Sequence, residues 1–388
     1  MDFKEPAEHE MIRSTAEAIA SDYDPEYWRE HEEATEFPQA YWEELTDAGF
    51  HGLLIPEKYE GAGMGMQEMA LAMQTLCEQG CGLAGAWFLV VNATMCPVEI
   101  REFGTEPQKE KYLEGIATGD RSFCIGITEP DSGSNTLNTT TTAENDGDEY
   151  VINGQKVWTS MADLASNVIL VTRTTPASEV DRKTDGISLF IADMDDPAFD
   201  VEPIPKHAMN YTRSCEVFID DLRVPEENLL GEKGNGWQQL ARSLNPERIA
   251  FAAGATGTAK LAVDHALEYS KEREVFDGPI GQYQGIQFPI AKHYAQVECA
   301  SAMMDKAAWK FDQGEESGFE SNVAKAAAIE AAIPAVYHSM QTFGGWGYAK
   351  EYHVERWWRE INLTRLAPVT QQMAYNHIAQ TIGFPRSY

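Results

Sequence analysis

Two short segments of the chain carry side chains that could hold a planar cofactor. Residues 124–135 (CIGITEPDSGSN) combine hydroxyl groups with glycines that leave the backbone accessible, and such groups can hydrogen-bond a ring edge or a phosphate. Residues 154–160 (GQKVWTS) place the indole of Trp158 two positions before the hydroxyl of Ser160, so an aromatic ring and a donor could flank one ligand. Each segment alone also fits a simpler structure, a polar loop in the first case and a buried tryptophan of a β-core in the second.

Both segments lie in a stretch whose pattern predicts a β-domain. Between about residues 121 and 232, short β-branched and aromatic runs such as NVILVTRT and GISLFIADM alternate with turns of Asn, Asp, Gly and Pro, which is typical of antiparallel strands. Before this stretch, apolar residues recur at spacings of three and four, as in MQEMALAMQTLCEQG, and predict helices. After it, long alanine-rich helical patterns return and suggest a four-helix arrangement.

The order of these patterns predicts a multi-domain α+β protein. We expect an N-terminal α-helical domain at residues 1–120, a middle antiparallel β-barrel-like domain at residues 121–235, and a C-terminal four-helix bundle at residues 236–388. A chain of 388 residues with 43% hydrophobic content can supply the cores of such domains, since chains of this length usually divide into two or three.

Composition excludes several classes of protein. Asp and Glu number 62 against 30 Lys and Arg, and the net charge of −32 would repel nucleic acid and anionic membranes. The sequence shows neither a secretory signal nor a run of about 18 apolar residues that could span a membrane, so we expect a cytoplasmic protein. Its six cysteines have no CxxC spacing, which favours reduced thiols over disulfides, zinc or iron–sulfur sites.

Five motifs in order resemble those of the acyl-CoA dehydrogenase family. In addition to the two segments above, they are residues 218–225 (FIDDLRVP), residues 273–280 (REVFDGPI) with Gln284, and residues 341–348 (QTFGGWGY). The resemblance covers nearly the whole chain in the order helices, sheet, helices. It implies an FAD enzyme that removes hydrogen from the α and β carbons of an acyl-CoA and passes the electrons to an electron-transfer flavoprotein.

The resemblance also implies a cofactor site shared by two subunits. The counterparts of Thr128 and Ser160 hydrogen-bond the flavin ring, and that of Trp158 packs on it. Ser134 matches a position near the CoA phosphates, and Thr370 and Gln372 remain available for cofactor contacts. The positions that a neighbouring subunit contributes to the FAD adenosine and pyrophosphate are Arg273, Phe276, Gln284, Gln341 and Gly345. We therefore expect a homo-oligomer, such as a dimer of dimers.

Several positions depart from the family pattern. Ser160 replaces the commoner Thr but keeps the hydroxyl. Asp277 stands where the family usually has Gly, and Ser132 and Asn135 replace the usual Ala and Asp of the first loop. We expect these changes to weaken individual contacts and to leave the fold intact.

The proton acceptor departs from the usual pattern more seriously. Reaction at the α carbon of a thioester needs a carboxylate beside that carbon, desolvated so that its pKa is raised. In most relatives this base is a Glu followed by Gly-Thr near the chain end. Aligning Thr370 with that Thr puts Pro368 at the position of the Glu, and proline has no ionisable side chain. The usual base is therefore absent.

Glu247 is the candidate base of this chain. The isovaleryl and long-chain branches of the family place the carboxylate on the first long helix of the C-terminal domain, immediately before an Arg, and residues 244–249 (LNPERI) match that pattern. Arg248 is then the neighbouring cation and a candidate substrate contact. The same letters also fit an ordinary helix start, with Asn245 as the cap and Pro246 at the first helical position.

Other readings of the function stay open on the sequence alone. The base could lie elsewhere, or the protein could bind acyl-CoA and flavin without catalysis. An enoyl-CoA reductase would run the same chemistry backward, and oxidases and monooxygenases on this scaffold use oxygen. The length and branching of the acyl chain depend on a pocket whose shape the sequence does not give.

Overall fold

The computed structural model describes residues 6–386. Its helices, in chain order, are α1 (Ala7–Asp22), α2 (Pro25–Ala34), α3 (Gln39–Asp47), α4 (Met66–Leu76), α5 (Ala84–Leu89), α6 (Cys96–Phe103), α7 (Glu106–Thr118), α8 (Gly236–Glu272), α9 (Gln284–Asp312), α10 (Gly318–Thr342), α11 (Val354–Ile361), α12 (Leu363–Leu366) and α13 (Gln371–Thr381). Its strands are β1 (Phe123–Gly126), β2 (Thr142–Asp146), β3 (Glu149–Ser160), β4 (Asn167–Arg173), β5 (Ile187–Asp193), β6 (Phe199–Ile204), β7 (Ser214–Pro225), β8 (Leu229–Leu230), β9 (Glu274–Val275) and β10 (Gly278–Pro279).

These elements form two compact units. The helical unit consists of the described parts of Met1–Ala34, Gly65–Phe88 and Asn245–Tyr388. The sheet unit consists of Thr35–Met64 and Leu89–Leu244. Each unit thus joins segments that are distant in the sequence.

Alanine-rich faces hold the helical unit together. Helix α10 packs against α9, α11 and α13, and α4 packs against α1 and α9. The buried side of α10 includes Ala324, Ala328 and Ala332, all fully buried, and such small side chains allow neighbouring helices to approach closely. Asp312 at the end of α9 caps α4, because its carboxylate accepts hydrogen bonds from the backbone N–H groups of Met66 at 2.6 Å and Gln67 at 3.0 Å.

The structure tests whether residues 245–247 begin a helix, as one interpretation of the sequence has it. Pro246 lies inside this helix, which begins ten residues earlier at Gly236. The interpretation of residues 245–247 as an ordinary helix start is therefore wrong. Glu247 lies in the middle of α8, far from the free backbone N–H groups at the start of that helix, so these groups do not stabilise its carboxylate.

The sheet unit is built on a sheet of eight strands. Seven of them follow the order β6-β7-β3-β2-β4-β5-β8, and β1 pairs with β4. Most pairs are antiparallel, as predicted, but β1 and β2 each run parallel to β4. This difference arises because β1 and β4 are joined by a long connection through β2 and β3, and a parallel pair requires such a crossover.

Strand β4 supplies both cores of the sheet unit. Ile169 and Val171 belong to a core shared with Tyr112 and Leu113 of α7, while Val168 and Leu170 belong to a second core. The alternation follows from the strand period of two, which sends successive side chains to opposite faces. All seven residues of β4 are buried, as expected for a strand covered on both faces.

The architecture confirms the predicted order of helices, β-domain and helices. No helix within residues 6–386 is long and apolar enough to cross a membrane. In the same residues, no cluster of three His, Cys, Asp or Glu side chains could hold a metal ion. No disulfide links the six cysteines, all of which lie within the described residues; five are buried and Cys299 is exposed.

Candidate active site

A bulge in β3 turns Trp158 outward. The register between β3 and β7 shifts between Lys156 and Thr159, and Trp158 takes a left-handed φ of 61°. Bulges of this kind redirect a side chain away from the ladder, and the Trp158 side chain is 57% exposed. The alternative of a buried core tryptophan is therefore wrong, and the indole is available to a ligand.

A backbone hydrogen bond joins the two segments that the sequence singled out. The N–H of Val157 donates to the carbonyl of Thr128 at 2.9 Å. Thr128 thus lies beside the bulge that carries Trp158, and its side chain is partly exposed. The structure brings together the two positions predicted to contact the flavin ring although 30 residues of sequence separate them.

A buried ion pair fixes the loop that contains Thr128. Lys156 Nζ lies 2.7 Å from Glu129 Oε1, and the two side chains are 0% and 2% exposed. Glu129 also accepts hydrogen bonds from the hydroxyl of Thr139, from the N–H and hydroxyl of Thr140 at 2.6 and 2.7 Å, and from the N–H of Thr141 at 3.0 Å. The Glu129 carboxylate therefore joins the two ends of the loop between β1 and β2, and its ion pair with Lys156 attaches this loop to β3.

The two charges of this pair respond differently to burial. Burial acts to raise the pKa of Glu129, but the charge and hydrogen bond of Lys156 and the bonds from the threonines outweigh it and hold that pKa well below its usual range. Burial lowers the pKa of Lys156 to about 8, with Glu129 opposing the shift. The sequence analysis did not single out this pair, although Glu129 lies in the first of its two motifs and Lys156 in the second.

Hydrogen bonds also position the hydroxyl of Ser160. Its Oγ lies 3.5 Å from Ser214 Oγ, and Ser214 Oγ accepts a hydrogen bond from Lys206 Nζ at 3.1 Å.

The loop between β1 and β2 contains two of the departures from the family pattern, Ser132 and Asn135. Ser132 Oγ donates to the carbonyl of Asn135 at 2.8 Å, so these two residues contact each other. Ser134 between them is exposed and is available to a phosphate.

The residues predicted to contact FAD across a subunit interface lie on the surface of the helical unit. Tyr269 near the end of α8 stacks on Phe343 at the end of α10, with ring centroids 4.3 Å apart. This contact brings the β9–β10 hairpin, which follows α8, to the end of α10. The predicted set of exposed residues comprises Arg273, Phe276, Gln284, Gln341 and Gly345.

Phe276 is the most exposed of these side chains. It takes a left-handed φ of 57° in the hairpin between β9 and β10, and its ring is 96% exposed. A large apolar ring held in a strained conformation and left in solvent is typical of a binding surface. These exposed residues therefore fit the cofactor role that the sequence predicts for them.

Glu247 is buried and incompletely hydrogen-bonded. The residue is 3% exposed, and its Oε2 has no hydrogen-bond partner in the described chain. Burial raises its pKa to about 8, and the charges of Arg248 and Lys325 oppose the shift. The guanidinium of Arg248 donates to Asn245 Oδ1 at 3.1 Å. A desolvated carboxylate with a free oxygen is suited to accept a proton near neutral pH.

The loop around Pro368 carries no carboxylate and is held by Lys325. The peptide bond between Ala367 and Pro368 is cis, and Lys325 Nζ donates to the carbonyls of Ala367 at 3.2 Å and of Val369. Thr370 caps α13, since its hydroxyl accepts a hydrogen bond from Met373 N at 3.3 Å. Gln372 is exposed. The sequence analysis missed Lys325, and the available signal was a single lysine in the alanine-rich run of α10.

Comparison with known proteins agrees with this arrangement. The chain matches the sequence models of three domain families: the acyl-CoA dehydrogenase N-terminal domain at residues 6–120, the middle domain at residues 124–222 and the C-terminal domain at residues 234–383. The chain belongs to the acyl-CoA dehydrogenase family. It is an oxidoreductase, and FAD is the cofactor of this family.

Individual relatives span nearly the whole chain. Acyl-CoA dehydrogenase FadE12 of Mycobacterium tuberculosis is 38% identical over 389 residues, covering 100% of this chain and 99% of its own. The caffeyl-CoA reductase–Etf complex subunit CarC of Acetobacterium woodii is 31% identical over 369 residues, covering 94% of this chain and 96% of its own. The solved structure of butyryl-CoA dehydrogenase from Megasphaera elsdenii superposes with a TM-score of 0.94 at 28% identity, covering 98% of this chain and 100% of its own.

Proposed function

We propose that this protein is an acyl-CoA dehydrogenase that converts an acyl-CoA thioester to the trans-2-enoyl-CoA, with Glu247 as the base. The observation that carries the proposal is the buried Glu247 carboxylate with an unpartnered oxygen, in a chain that has Pro368 at the family's usual base position.

The chemistry of the substrate explains why such a group is needed. The α proton of a thioester is weakly acidic, and it transfers only when the carbonyl is polarised and a base of suitable pKa is in place. Glu247 has the raised pKa that this transfer requires, and Arg248 beside it supplies a cation that stabilises the charged carboxylate. When bound, FAD supplies the acceptor for the hydride that leaves the β carbon.

The sheet unit supports the cofactor part of this proposal. The outward indole of Trp158 can pack on a flavin ring, and the hydroxyls of Thr128 and Ser160 can donate to it. The hydrogen bonds of Glu129 and Ser214 hold these groups before any ligand arrives, which lowers the entropic cost of binding. Ser134 is assigned to CoA and cofactor phosphates, and Thr370 and Gln372 to further cofactor contacts.

Two kinds of partner belong to the proposal. We assign electron transfer to an electron-transfer flavoprotein, supported by a relative that is named as the subunit of a complex with Etf. We also assign a homo-oligomer, a dimer of dimers, supported by the exposed surface of Arg273 and Phe276. A subunit that presents these side chains to its neighbour completes the neighbour's FAD site.

Anaerobic titration tests the assignment of Glu247. Purified Glu247→Gln holoprotein is expected to retain FAD and to lose the bleaching of the flavin band when short, branched, aromatic or long acyl-CoAs are added, while the wild type bleaches with at least one of them. Glu320→Gln is the matched control, because Glu320 is a buried carboxylate of the same unit that is already paired with Lys310 at 3.1 Å. Full bleaching by Glu247→Gln would rule out this base.

Enoyl-CoA reduction is the second candidate function. It is favoured by the relative named caffeyl-CoA reductase, and it uses the same groups in the opposite direction, with Glu247 as the acid. The test compares two anaerobic rates: the reoxidation of chemically reduced holoprotein by an enoyl-CoA and the bleaching of oxidised holoprotein by the matching acyl-CoA. The first is expected to be the faster in a reductase and the slower in a dehydrogenase. A reduced flavin that disappears at once in air would instead indicate an oxidase or monooxygenase.

A further inference from the structure

A buried lysine holds the loop that has lost the family's usual base. Lys325 lies on α10 and its side chain is 0% exposed. Its ammonium donates hydrogen bonds to the carbonyls of Ala367 and Val369, the two residues that flank Pro368. The loop backbone thus supplies the hydrogen bonds that a buried ammonium requires.

The same ammonium lies close to the helix that carries the candidate base. Lys325 Nζ is 5.9 Å from the ring centroid of Phe251, and Phe251 follows Glu247 by four residues, so the two share one face of α8. Within the described chain, Lys325 and Glu247 form no direct ion pair, and Glu247 Oε2 keeps no hydrogen bond. The charge of Lys325 therefore acts on the carboxylate through space.

We propose that Lys325 is a positioning residue of the active site, which fastens the loop at residues 367–369 through two carbonyls and supplies a buried positive charge that favours the charged, proton-accepting form of the Glu247 carboxylate. This inference rests on the proposed function, because it requires Glu247 to be the base. It assigns a role to a residue that the family motifs of this chain do not include.

The surrounding charges define what removal of the lysine would do. Burial raises the pKa of Glu247, and two cations oppose that shift, Arg248 on α8 and Lys325 on α10. Helix α13, which packs on α10, carries His377, whose own pKa is lowered by burial and by the charge of Arg248. Burial also lowers the pKa of Lys325 itself to about 7, with Glu247 opposing that shift and Arg248 adding to it, so Lys325 carries its charge over the acid part of this range. Without Lys325, Arg248 remains as the main opposing charge there, so Glu247 would hold its proton to a higher pH.

The test measures the rate of flavin bleaching as a function of pH. Lys325→Gln keeps an N–H donor for the loop carbonyls and removes the charge, whereas Lys325→Arg keeps the charge. After rapid anaerobic mixing with an acyl-CoA that bleaches the wild type, we expect the acid limb of the Lys325→Gln profile to move to higher pH by about one unit. Lys325→Arg is expected to keep the limb near its original position.

The FAD content and melting temperature of each variant show whether it is folded. A folded Lys325→Gln protein with the wild-type acid limb overturns the inference, and Lys325→Met provides the same measurement if the Gln variant does not fold. The result for Glu247→Gln distinguishes failure of the proposed function from failure of the inference about Lys325. If Glu247→Gln still bleaches fully, the proposed function fails. If it does not bleach and the Lys325 variants keep the wild-type limb, only the role of Lys325 fails.

Discussion

The ammonium of Lys156 lies 2.7 Å from the carboxylate of Glu129, and both side chains are buried in the sheet unit. Lys156 is two residues from Trp158, and Glu129 directly follows Thr128. One ion pair therefore fixes the backbone on both sides of the predicted flavin contacts. We therefore expect the positions of the Trp158 indole and the Thr128 hydroxyl to depend on this contact.

Replacing Lys156 by Met is expected to destabilise the protein by about 3–5 kcal/mol, because it leaves the Glu129 carboxylate buried without its cation. The same change should weaken FAD binding, since the loop of Thr128 loses its anchor. Denaturant unfolding monitored by tryptophan fluorescence, together with FAD titration of the apoprotein, measures both effects.

Arg223→Met is the matched control for this change. Arg223 pairs with Glu149 and Asp146 on the exposed side of the same sheet, where solvent screening leaves ion pairs with little net effect. We expect its unfolding curve to lie close to that of the wild type. Equal losses in the two variants would contradict the role given to the buried pair.

Replacing Glu247 by Gln should change how stability depends on pH. Burial raises the pKa of Glu247 from 4.5 in the unfolded chain to about 8 in the folded one, so the folded state retains a proton that the unfolded state releases. Stability from this group is fully present below pH 4.5 and is lost as the pH rises to about 8. Gln does not titrate, so the variant gains on the wild type across this window by up to about 1.4 kcal/mol per pH unit.

Denaturation midpoints of the two proteins at pH 5, 6, 7 and 8 measure this gain. Glu330→Gln controls for the loss of one negative charge, because the Glu330 side chain is exposed. If the difference in denaturation midpoint between the wild type and Glu247→Gln stays constant from pH 5 to 8, the raised pKa of a buried Glu247 is contradicted.

Replacing Phe276 by Ala is expected to weaken FAD binding about tenfold, because the variant loses one aromatic contact with the cofactor and the apolar area buried in it. Met11→Ala is the control, because Met11 is also an exposed apolar side chain of the helical unit, at 55%, and lies outside the predicted site. Fluorescence titration of the apoprotein with FAD measures the affinity, and light scattering measures the oligomeric state. An unchanged affinity in Phe276→Ala would remove this residue from the cofactor site.

Local patterns were enough to predict much of this protein. The spacing of apolar residues predicted helices before and after a β-domain, and the structure has α1–α7 before β1 and α8–α13 after β8. Five ordered motifs identified the family, because residues that contact a cofactor are constrained in type and order. The pattern failed where it was ambiguous over a few residues, as in the segment with Pro246, which fits a helix start but lies in a helix interior.

The sequence by itself determined which residue types are present: a proline at the position predicted for the usual base, a glutamate before Arg248, and a tryptophan two positions before a serine. Tertiary structure decided what these residues can do. Burial is a property of packing, so only the fold shows that Glu247 is desolvated and that Trp158 is exposed. Lys325 reaches the carbonyl of Ala367 across 42 residues of chain, and a contact of that separation leaves no trace in local periodicity.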